Sequence, residues 1–361
     1  MTGGTYESAG VRGQGDALSA IQRHLGPTLA LPVGAQVLTR FGQYASVLRT
    51  GPDSAIAIST DGVGSKTIIA SRLDRYDTIG FDCVAMNVND VICVGARPIA
   101  MVDYLGVHTL DDRRTEDVLR GLGAAAKEAD IAIPGGELAQ LPEVIGSDGD
   151  DTAFDLVGTC IGTVHPDRVV LGDDVAAGDA LVGIRSSGIH SNGLTLARRV
   201  LLNENGHSLD EEIAALGRTL GAELLEPTAI YVRAVTALWD AGITTKGLVH
   251  ITSDGFANLC RLNAPVGYRI QDLLPVPAIF DLIRKEGSID DGEMYRVFNM
   301  GVGFVAVVGA EDADRATSTI ERAGYEAMRI GVVDDEAGRV AIEPAGLVGG
   351  LDEGESRFER G

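Results

Sequence analysis

The chain has 361 residues, which is long for one hydrophobic core and comfortable for two domains. Its 30 Lys and Arg residues stand against 52 Asp and Glu, and the net charge of −22 argues against nucleic acid or an anionic membrane as a partner. No apolar run approaches the ~20 residues of a membrane span, and the N-terminal residues lack a signal pattern, so we expect a cytoplasmic protein.

The acidic composition has two interpretations that the sequence leaves open. One is a salt-rich, halophilic cytoplasm, in which counter-ions screen the repulsion between carboxylates. The other is an acidic protein of an ordinary cytoplasm. The four cysteines include no C-x-x-C pair and no metal-ligand spacing, so we expect no structural zinc.

The first half of the chain alternates strand-like and helix-like stretches. Apolar residues three and four apart predict helices, apolar runs predict strands, and Gly or Pro marks several ends. In chain order we predict a helix over 16–25, short strands near Gln36 and Tyr44, a strand over 55–58, a helix over 82–96, a strand over 99–105, a helix over 113–129, and strands over 131–133 and 153–164.

The stretch Ser59-Thr60-Asp61-Gly62-Val63-Gly64-Ser65-Lys66 follows the strand over 55–58. We expect the chain to turn at Asp61 and Gly62, and Gly64 to leave the backbone bare before Lys66. An acid, exposed N–H groups and a lysine so close together offer a metal ligand and a phosphate site. The alternative is a plain hairpin turn, which Asp-Gly also favours.

Two further acids are candidates for a metal. Asp90 lies three residues after Asn87 on the helix over 82–96, and a polar pair in so apolar a segment is costly unless it is partnered. Glu137 follows two glycines after the strand over 131–133, where a plain surface loop is the alternative. With Asp61, these carboxylates are ligands of the kind that hold Mg²⁺ between phosphates.

The polar segment over 165–178 predicts the domain boundary, with an N-terminal domain over 1–168 and a C-terminal domain over 169–345. The glycine- and charge-rich composition of residues 346–361 predicts a disordered tail. Within the C-terminal domain we predict strands over 180–184, 304–308 and 328–333, and helices over 194–202, 210–220, 227–241, 256–262 and 313–324.

A polar loop over 186–193 separates the strand over 180–184 from the next helix. Ile189 breaks the Gly-x-Ser-x-Gly pattern of serine hydrolases, and the chain has neither a P-loop nor a Rossmann glycine pattern. A lone histidine is more often structural than catalytic. His190 stands in a Gly/Ser/Asn loop, where it and Asn192 can donate to a transferring group or an amide oxygen.

Five motifs in this order resemble the phosphoribosylformylglycinamidine cyclo-ligase family, also called aminoimidazole ribonucleotide synthetase. They are Asp-Gly-Val-Gly-Ser-Lys at 61–66, Val-Asn-Asp at 88–90, Gly-Gly-Glu at 135–137, Gly-Ile-His-Ser-Asn-Gly at 188–193 and Phe-Asn-Met-Gly-Val-Gly at 298–303. The likeness runs from about Tyr6 to Glu343. Several motifs are shared across a wider superfamily of ATP-using enzymes, whereas the stretches 226–232 and 293–299 look specific to the cyclo-ligase.

The resemblance implies an α/β (α+β) fold of two domains. The N-terminal domain would contribute a mixed sheet to a β-barrel across a homodimer, and the C-terminal domain would be an α/β layer. The implied reaction converts formylglycinamidine ribonucleotide to aminoimidazole ribonucleotide with ATP and Mg²⁺, through an iminophosphate, in purine biosynthesis.

The resemblance also assigns roles residue by residue. The catalytic set would be Asp90, His190, Asn192 and Lys66. The nucleotide and phosphate set would be Gly62, Gly64, Ser65, Lys66, Ser191, His250 and Thr252. The metal ligands would be Asp61, Asp90 and Glu137.

Three departures from the family pattern concern the expected phosphate contacts. The glycine-rich loop near the N-terminus is bulky here, at 39–44, and a helix lysine of the family is Arg23. The loop after His250 reads Thr252-Ser253-Asp254-Gly255, where the family has glycines, and a carboxylate there would repel phosphate unless it binds metal. The alternatives are a thiamine-monophosphate kinase-like or selenophosphate synthetase-like enzyme, or a non-catalytic nucleotide-binding paralogue.

Overall fold

Two mixed β-sheets, one in each half of the chain, organise the computed structural model, which describes residues 4–11, 15–30, 34–146, 151–352 and 355–361. The first sheet has six strands in the order β1-β2-β3-β6-β4-β5, antiparallel except for β4 and β5. The strands are β1 (Gln36–Val37), β2 (Ser46–Arg49), β3 (Ala55–Gly62), β4 (Arg97–Val107), β5 (Gly136–Gln140) and β6 (Phe154–Val164). Its helices are α1 (Gly15–Leu25), α2 (Lys66–Leu73), α3 (Ile79–Cys93) and α4 (Asp112–Ala129).

The second sheet has eight strands in the order β10-β12-β7-β13-β11-β14-β15-β16. They are β7 (Ala180–Arg185), β10 (Thr245–His250), β11 (Gly267–Ile270), β12 (Val302–Val308), β13 (Ala327–Asp334), β14 (Val340–Ile342), β15 (Leu347–Asp352) and β16 (Glu355–Arg360), while β8 (Glu212–Ile213) and β9 (Arg218–Thr219) pair separately. The helices are α5 (Leu194–Arg198), α6 (Leu220–Leu224), α7 (Val232–Asp240), α8 (Ala278–Glu286), α9 (Asp291–Val297) and α10 (Ala313–Arg322). Two α/β halves with mixed sheets confirm the predicted fold class, and the boundary at residues 168 and 169 stays a prediction.

Burial follows the sequence pattern in the centre of each half. All of β12 is buried, as its unbroken apolar run predicts for a strand covered on both faces. The unit of β12, α10 and β13 confirms the predicted strand–helix–strand unit, with β7 between the two strands. In the first half the apolar helix α3 is almost entirely buried.

The C-terminal residues are ordered strands, so the predicted disordered tail over 346–361 is wrong within the described residues. Strands β15 and β16 pair with each other, and β15 also pairs with β14. Leu347 and Phe358 are buried. The glycines that made the composition look disordered permit close backbone approach, because a Cβ at Gly349 would lie 1.9 Å from the Arg357 carbonyl oxygen.

Three local predictions also fail. The strand predicted over 131–133 is only an isolated bridge between Ala132 and Ala100. Strand β3 continues through Asp61 and Gly62, which pair with Gly158 and Val157 of β6 instead of turning. The helix predicted over 210–220 is replaced by the short pair β8 and β9, followed by α6. At β3 the pairing with a remote strand overrides the local turn signal, whereas at 212–219 a local strand pair replaces the helix.

His207 joins the segment before β8 to the end of α8. Its Nδ1 lies 2.9 Å from a carboxylate oxygen of Glu211, and its Nε2 lies 2.9 Å from Glu286. The hydrogen bonds to Glu211 and then Glu286 raise the pKa of His207. Within the described part of the chain, no helix combines the length and apolarity needed to cross a membrane.

Candidate active site

Helix α3 carries polar side chains that connect the two halves. Asp82, Asn87 and Asn89 are buried within it, so each needs partners. The Asn89 Nδ2 donates to the Ala229 carbonyl at 2.9 Å, and its Oδ1 accepts from the Tyr231 N–H at 2.9 Å. The helix is therefore fixed against the second half by main-chain contacts.

Asn87 holds the end of β3, where Asp61 lies. The Asp61 N–H donates to Asn87 Oδ1 at 3.0 Å, and Asn87 Nδ2 donates to the Asp61 carbonyl at 3.0 Å. Burial first, and then the charge of Asp90, raise the pKa of Asp61 to about 6. The charge of Asp90 thus disfavours ionisation of Asp61, whereas a bound cation would favour it.

His250 ends β10 and contacts Asp90 across the two halves. Its Nδ1 lies 3.0 Å from Asp90 Oδ1. An ionised carboxylate only accepts hydrogen bonds, so we assign the imidazole proton to Nδ1. The Nε2 atom of His250 is then an acceptor, and it is buried with no partner among the described residues. This arrangement offers a free imidazole lone pair beside a carboxylate that can stabilise an imidazolium.

His190 offers the opposite group, a free donor. Its backbone adopts the left-handed conformation at φ 66°, uncommon for a residue with a side chain. Its Nε2 accepts from the Ser187 N–H at 3.2 Å, so the proton of the neutral ring belongs on Nδ1. Burial, and then the charges of His250 and Lys66, hold the pKa of His190 well below its ordinary value. The buried Nδ1 has no partner in the described structure.

Gly303 allows the two histidines to approach the same end of the second sheet. Gly303 lies near the start of β12, which has β10 on one side and β7 on the other. Strand β10 ends at His250, and β7 leads to the loop that carries His190. A Cβ at Gly303 would lie 2.7 Å from His190 Cε1 and 2.0 Å from the Tyr231 hydroxyl. A larger residue at this position would therefore clash with Tyr231 and His190.

The structure pairs Lys66 with an acid that the sequence analysis did not single out. Lys66 Nζ lies 2.7 Å from Asp82 Oδ1, and both side chains are fully buried. The same oxygen accepts from the Thr228 N–H at 2.8 Å and from its hydroxyl at 2.6 Å. The lysine predicted for phosphate is therefore engaged in joining α2 and α3 to the second half. Asp82 was overlooked because an acid in the first turn of a helix is ordinary.

The loop before α2 leaves main-chain groups open, as its glycines predict. Gly64 has φ +70°, in the left-handed region, and a Cβ there would meet nothing within 4 Å. Ser65 Oγ lies 3.0 Å from Thr195 Oγ1 at the start of α5. Gly62 instead lies inside β3, where a Cβ would contact Val157 at 3.4 Å.

The remaining predicted polar residues differ in whether their side chains already have hydrogen-bond partners. Ser191 Oγ lies 3.3 Å from Asp82 Oδ1, so it belongs to the buried lysine cluster. Thr252 Oγ1 has a long contact of 3.5 Å to Asn258. Asn192 is half-buried, and its amide makes no hydrogen bond within the described ranges. Asn192 thus remains available to a ligand.

Glu137 lies apart from the other predicted metal ligands. The strand register places Asp61 and Gly136 in one row across four neighbouring strands, roughly 14 Å apart at about 4.8 Å per strand. Glu137 comes one residue later, so its side chain points to the opposite face, where it is exposed. The predicted set of three carboxylates is therefore not assembled, and among the described residues no group of three His, Cys, Asp or Glu could hold a metal.

Asp254, the carboxylate noted in the sequence analysis, is paired with a cation. Its Oδ2 lies 3.0 Å from Arg261 Nη2. The guanidinium of Arg261 in turn covers the ring of Tyr44 at 5.0 Å. Two of the three departures noted in the sequence, the bulky loop and the extra acid, therefore belong to one cluster. The guanidinium of Arg261 offsets the expected repulsion of phosphate by Asp254.

Both halves of the chain match family models of AIR synthase related proteins. Residues 42–164 match the family model of the AIR synthase related protein, N-terminal domain, and residues 176–343 match that of the C-terminal domain. Among solved structures, a thiamine-monophosphate kinase from Stenotrophomonas maltophilia is similar at TM-score 0.61 and 20% identity, covering 90% of this chain and 96% of that one. A T. maritima PurL complexed with AMPPCP is similar at TM-score 0.54 and 16% identity, covering 83% of this chain and 44% of that one. These structures share the fold.

Among AIR synthase related proteins, the chain is most informatively compared with relatives of known name. A phosphoribosylformylglycinamidine cyclo-ligase from Methanothermobacter thermautotrophicus is 46% identical over 94% of this chain and 97% of its own length. One from Methanobrevibacter smithii is 48% identical over 79% of this chain and 82% of its own length. The chain belongs to the phosphoribosylformylglycinamidine cyclo-ligase family, as its motifs predicted.

Proposed function

We propose that the chain catalyses the ATP-dependent ring closure of formylglycinamidine ribonucleotide to aminoimidazole ribonucleotide in purine biosynthesis. The γ-phosphoryl group of ATP goes to the formamide oxygen, and ADP leaves. The amidine nitrogen of the substrate then attacks the activated carbon, a C–N bond forms, and the C–O bond breaks to release phosphate. The observation that carries this proposal is the pair of buried imidazoles, one with a free donor and one with a free acceptor.

His190 acts at the oxygen. Its neutral ring presents Nδ1–H, which can donate to the formamide oxygen and hold it in line for transfer. Asn192, with its amide free, can donate to the same oxygen or to a phosphoryl oxygen. A neutral donor leaves more electron density on the oxygen than the full positive charge of an imidazolium would, and so keeps the oxygen nucleophilic.

His250 acts at the nitrogen. Its Nε2 can accept the proton that the amidine nitrogen loses as the ring closes, and Asp90 beside Nδ1 stabilises the imidazolium that results. Ring closure is intramolecular, so orientation and charge stabilisation are the main contributions of the protein. This assigns His250, predicted as a phosphate ligand, to proton transfer.

We assign ATP binding to the open main chain at Gly64 and Ser65 and to the side chain of Thr252. The similar structure that holds AMPPCP supports nucleotide binding by this fold. Asp61 and Asp90 are suited to hold Mg²⁺, because carboxylate and phosphate oxygens satisfy its preference for oxygen ligands. Bound Mg²⁺ would neutralise phosphate charge during transfer. Lys66 stabilises the site through Asp82 and does not contact phosphate.

The exposed face of the first sheet supports a homodimer. Ile58 and Val102 lie on the face opposite α3 and are 37% and 46% exposed. A row of exposed apolar side chains on a sheet favours a protein partner, and a second copy would close the sheets into a barrel. ATP and a phosphorylated ribonucleotide do not cross membranes, so we place the enzyme in the cytoplasm, and its −22 charge supports a salt-rich one.

The test is turnover of formylglycinamidine ribonucleotide with Mg-ATP at low and multimolar KCl, with ADP and aminoimidazole product measured together. We expect one imidazole per ADP, and activity that rises with KCl. His190→Ala should lower kcat by about 10²-fold or more, while the exposed His24→Ala serves as control. Substrate-independent ADP release, or no imidazole from a folded protein, would refute the proposed function.

A further inference from the structure

The C-terminal hairpin of β15 and β16 lies beyond residue 343, where the matched family model ends, yet it contacts the loop that follows His250. Ser356 of β16 is buried, and its hydroxyl donates to Asp254 Oδ1 at 3.0 Å. The other Asp254 oxygen holds Arg261 at 3.0 Å. Asp254 is thus fixed from two sides, by the hairpin and by the end of the turn over 255–261.

From Arg261 the contacts continue to the catalytic pair. The guanidinium lies over the Tyr44 ring at 5.0 Å, and the Tyr44 hydroxyl donates to the His250 carbonyl at 2.8 Å. Tyr44 is buried and comes from the first half of the chain, as does Asp90. The main chain of His250 is therefore held by Tyr44, and its imidazole by Asp90, so that a shift of Tyr44 would tilt the ring.

Helix α9 also connects the hairpin to the loop over 252–255, because it contacts both. A Cβ at Gly255 would lie 1.8 Å from the Tyr295 carbonyl of α9, and a Cβ at Gly292 of α9 would lie 2.4 Å from the Phe358 carbonyl of β16. Gly255 has φ +53°, a conformation that glycine adopts without strain. Loop, helix and hairpin are thus in direct main-chain contact.

We infer that Ser356 and Asp254 are positioning residues: the C-terminal hairpin fixes the loop over 252–255 and, through Arg261 and Tyr44, sets the orientation of the His250 imidazole toward Asp90. The Asp254 carboxylate is the link in this series of contacts, because one oxygen accepts from Ser356 and the other from Arg261. The inference rests on the proposed function only for its kinetic readout.

The kinetic test compares Asp254→Ala, Ser356→Ala and Ser356→Thr. A misplaced imidazole impairs proton transfer and not ground-state binding, so Asp254→Ala should lower kcat by about 10-fold or more with both KM values within about twofold. Ser356→Ala should lower kcat less, and Ser356→Thr, which keeps the hydroxyl, should restore it. Arg357→Ala, on the exposed side of the same hairpin, is the matched control and should match the wild type.

A second readout does not depend on turnover. With ¹⁵N-labelled histidine, the Nδ1–H resonance of His250 is identified by its loss in His250→Gln. We expect this resonance to shift or broaden in Asp254→Ala and Ser356→Ala and to stay in Ser356→Thr. Unchanged resonance and kcat in Ser356→Ala and Asp254→Ala, or a rise in KM with kcat unchanged, would overturn the inference. Shifted resonance in a protein that makes no imidazole would instead refute the proposed function alone.

Discussion

Replacing Asp82 with alanine removes the partner of the buried Lys66 ammonium. Lys66 Nζ would keep only the Glu226 carbonyl, and the Thr228 N–H and hydroxyl would lose their acceptor. Because neither side chain of the pair is accessible to solvent, an uncompensated charge stays buried. Breaking such a pair costs about 3–5 kcal/mol of unfolding free energy.

The cost converts to a measurable shift in Tm. At about 2–4 °C per kcal/mol for a domain of 150–250 residues, Asp82→Ala should unfold roughly 6–20 °C below the wild type in a thermal scan. The loss should persist in 1 M KCl, since buried charges are screened little. The exposed pair of Arg75 and Asp77 provides the control, and Asp77→Ala should cost at most about 1 kcal/mol.

A double variant tests the same reasoning from the other side. Apolar residues of similar size often replace a buried ion pair without loss, so Lys66→Met with Asp82→Leu should be more stable than Asp82→Ala. The interpretation fails if Asp82→Ala unfolds within 2 °C of the wild type, or if Lys66→Met raises the KM for ATP at unchanged Tm. Either result would return Lys66 to the phosphate role that its sequence motif predicts.

Three further predictions concern other parts of the molecule. The raised pKa of His207 means that its stabilising contribution is fully present below its ordinary value near 6.5 and is lost as pH rises through the folded value. Unfolding curves of His207→Gln and wild type should therefore converge on raising the pH from 6 to 9, and parallel curves would contradict this. Val102→Asp places a charge on the sheet face proposed for the homodimer and should yield monomers in sedimentation, whereas an unaltered dimer would exclude this face. Gly193→Ala places a Cβ 2.3 Å from Phe298 Cε1 at φ +84° and should lower Tm by several degrees and kcat with it, while Gly188→Ala, whose nearest neighbour is at 3.7 Å, should leave both near wild type.

Local sequence located most elements that carry the site. The apolar spacing of α3 and the unbroken run of β12 predicted both correctly, because their burial is written in consecutive residues. The glycine at position 64 and the polar loop around His190 likewise marked open backbone and free side chains. The motif order was specific enough to predict the family.

What each polar residue contacts was decided by tertiary structure alone. The sequence offered Lys66 as a phosphate ligand, but a partner 16 residues away in α3 buries it. It offered Glu137 as a metal ligand, but the alternation of a strand turns its side chain to the other face.

The C-terminal residues show the same limit most clearly. Their composition is that of a disordered tail, and they become strands because β14 supplies an edge and the loop after His250 supplies Asp254 for Ser356. Strand β14 precedes them closely in the chain, but Ser356 and Asp254 are 102 residues apart. Hydrogen bonds and ion pairs depend on distances that folding sets between remote segments, so sequence alone determined which groups are present and the fold determined which of them meet.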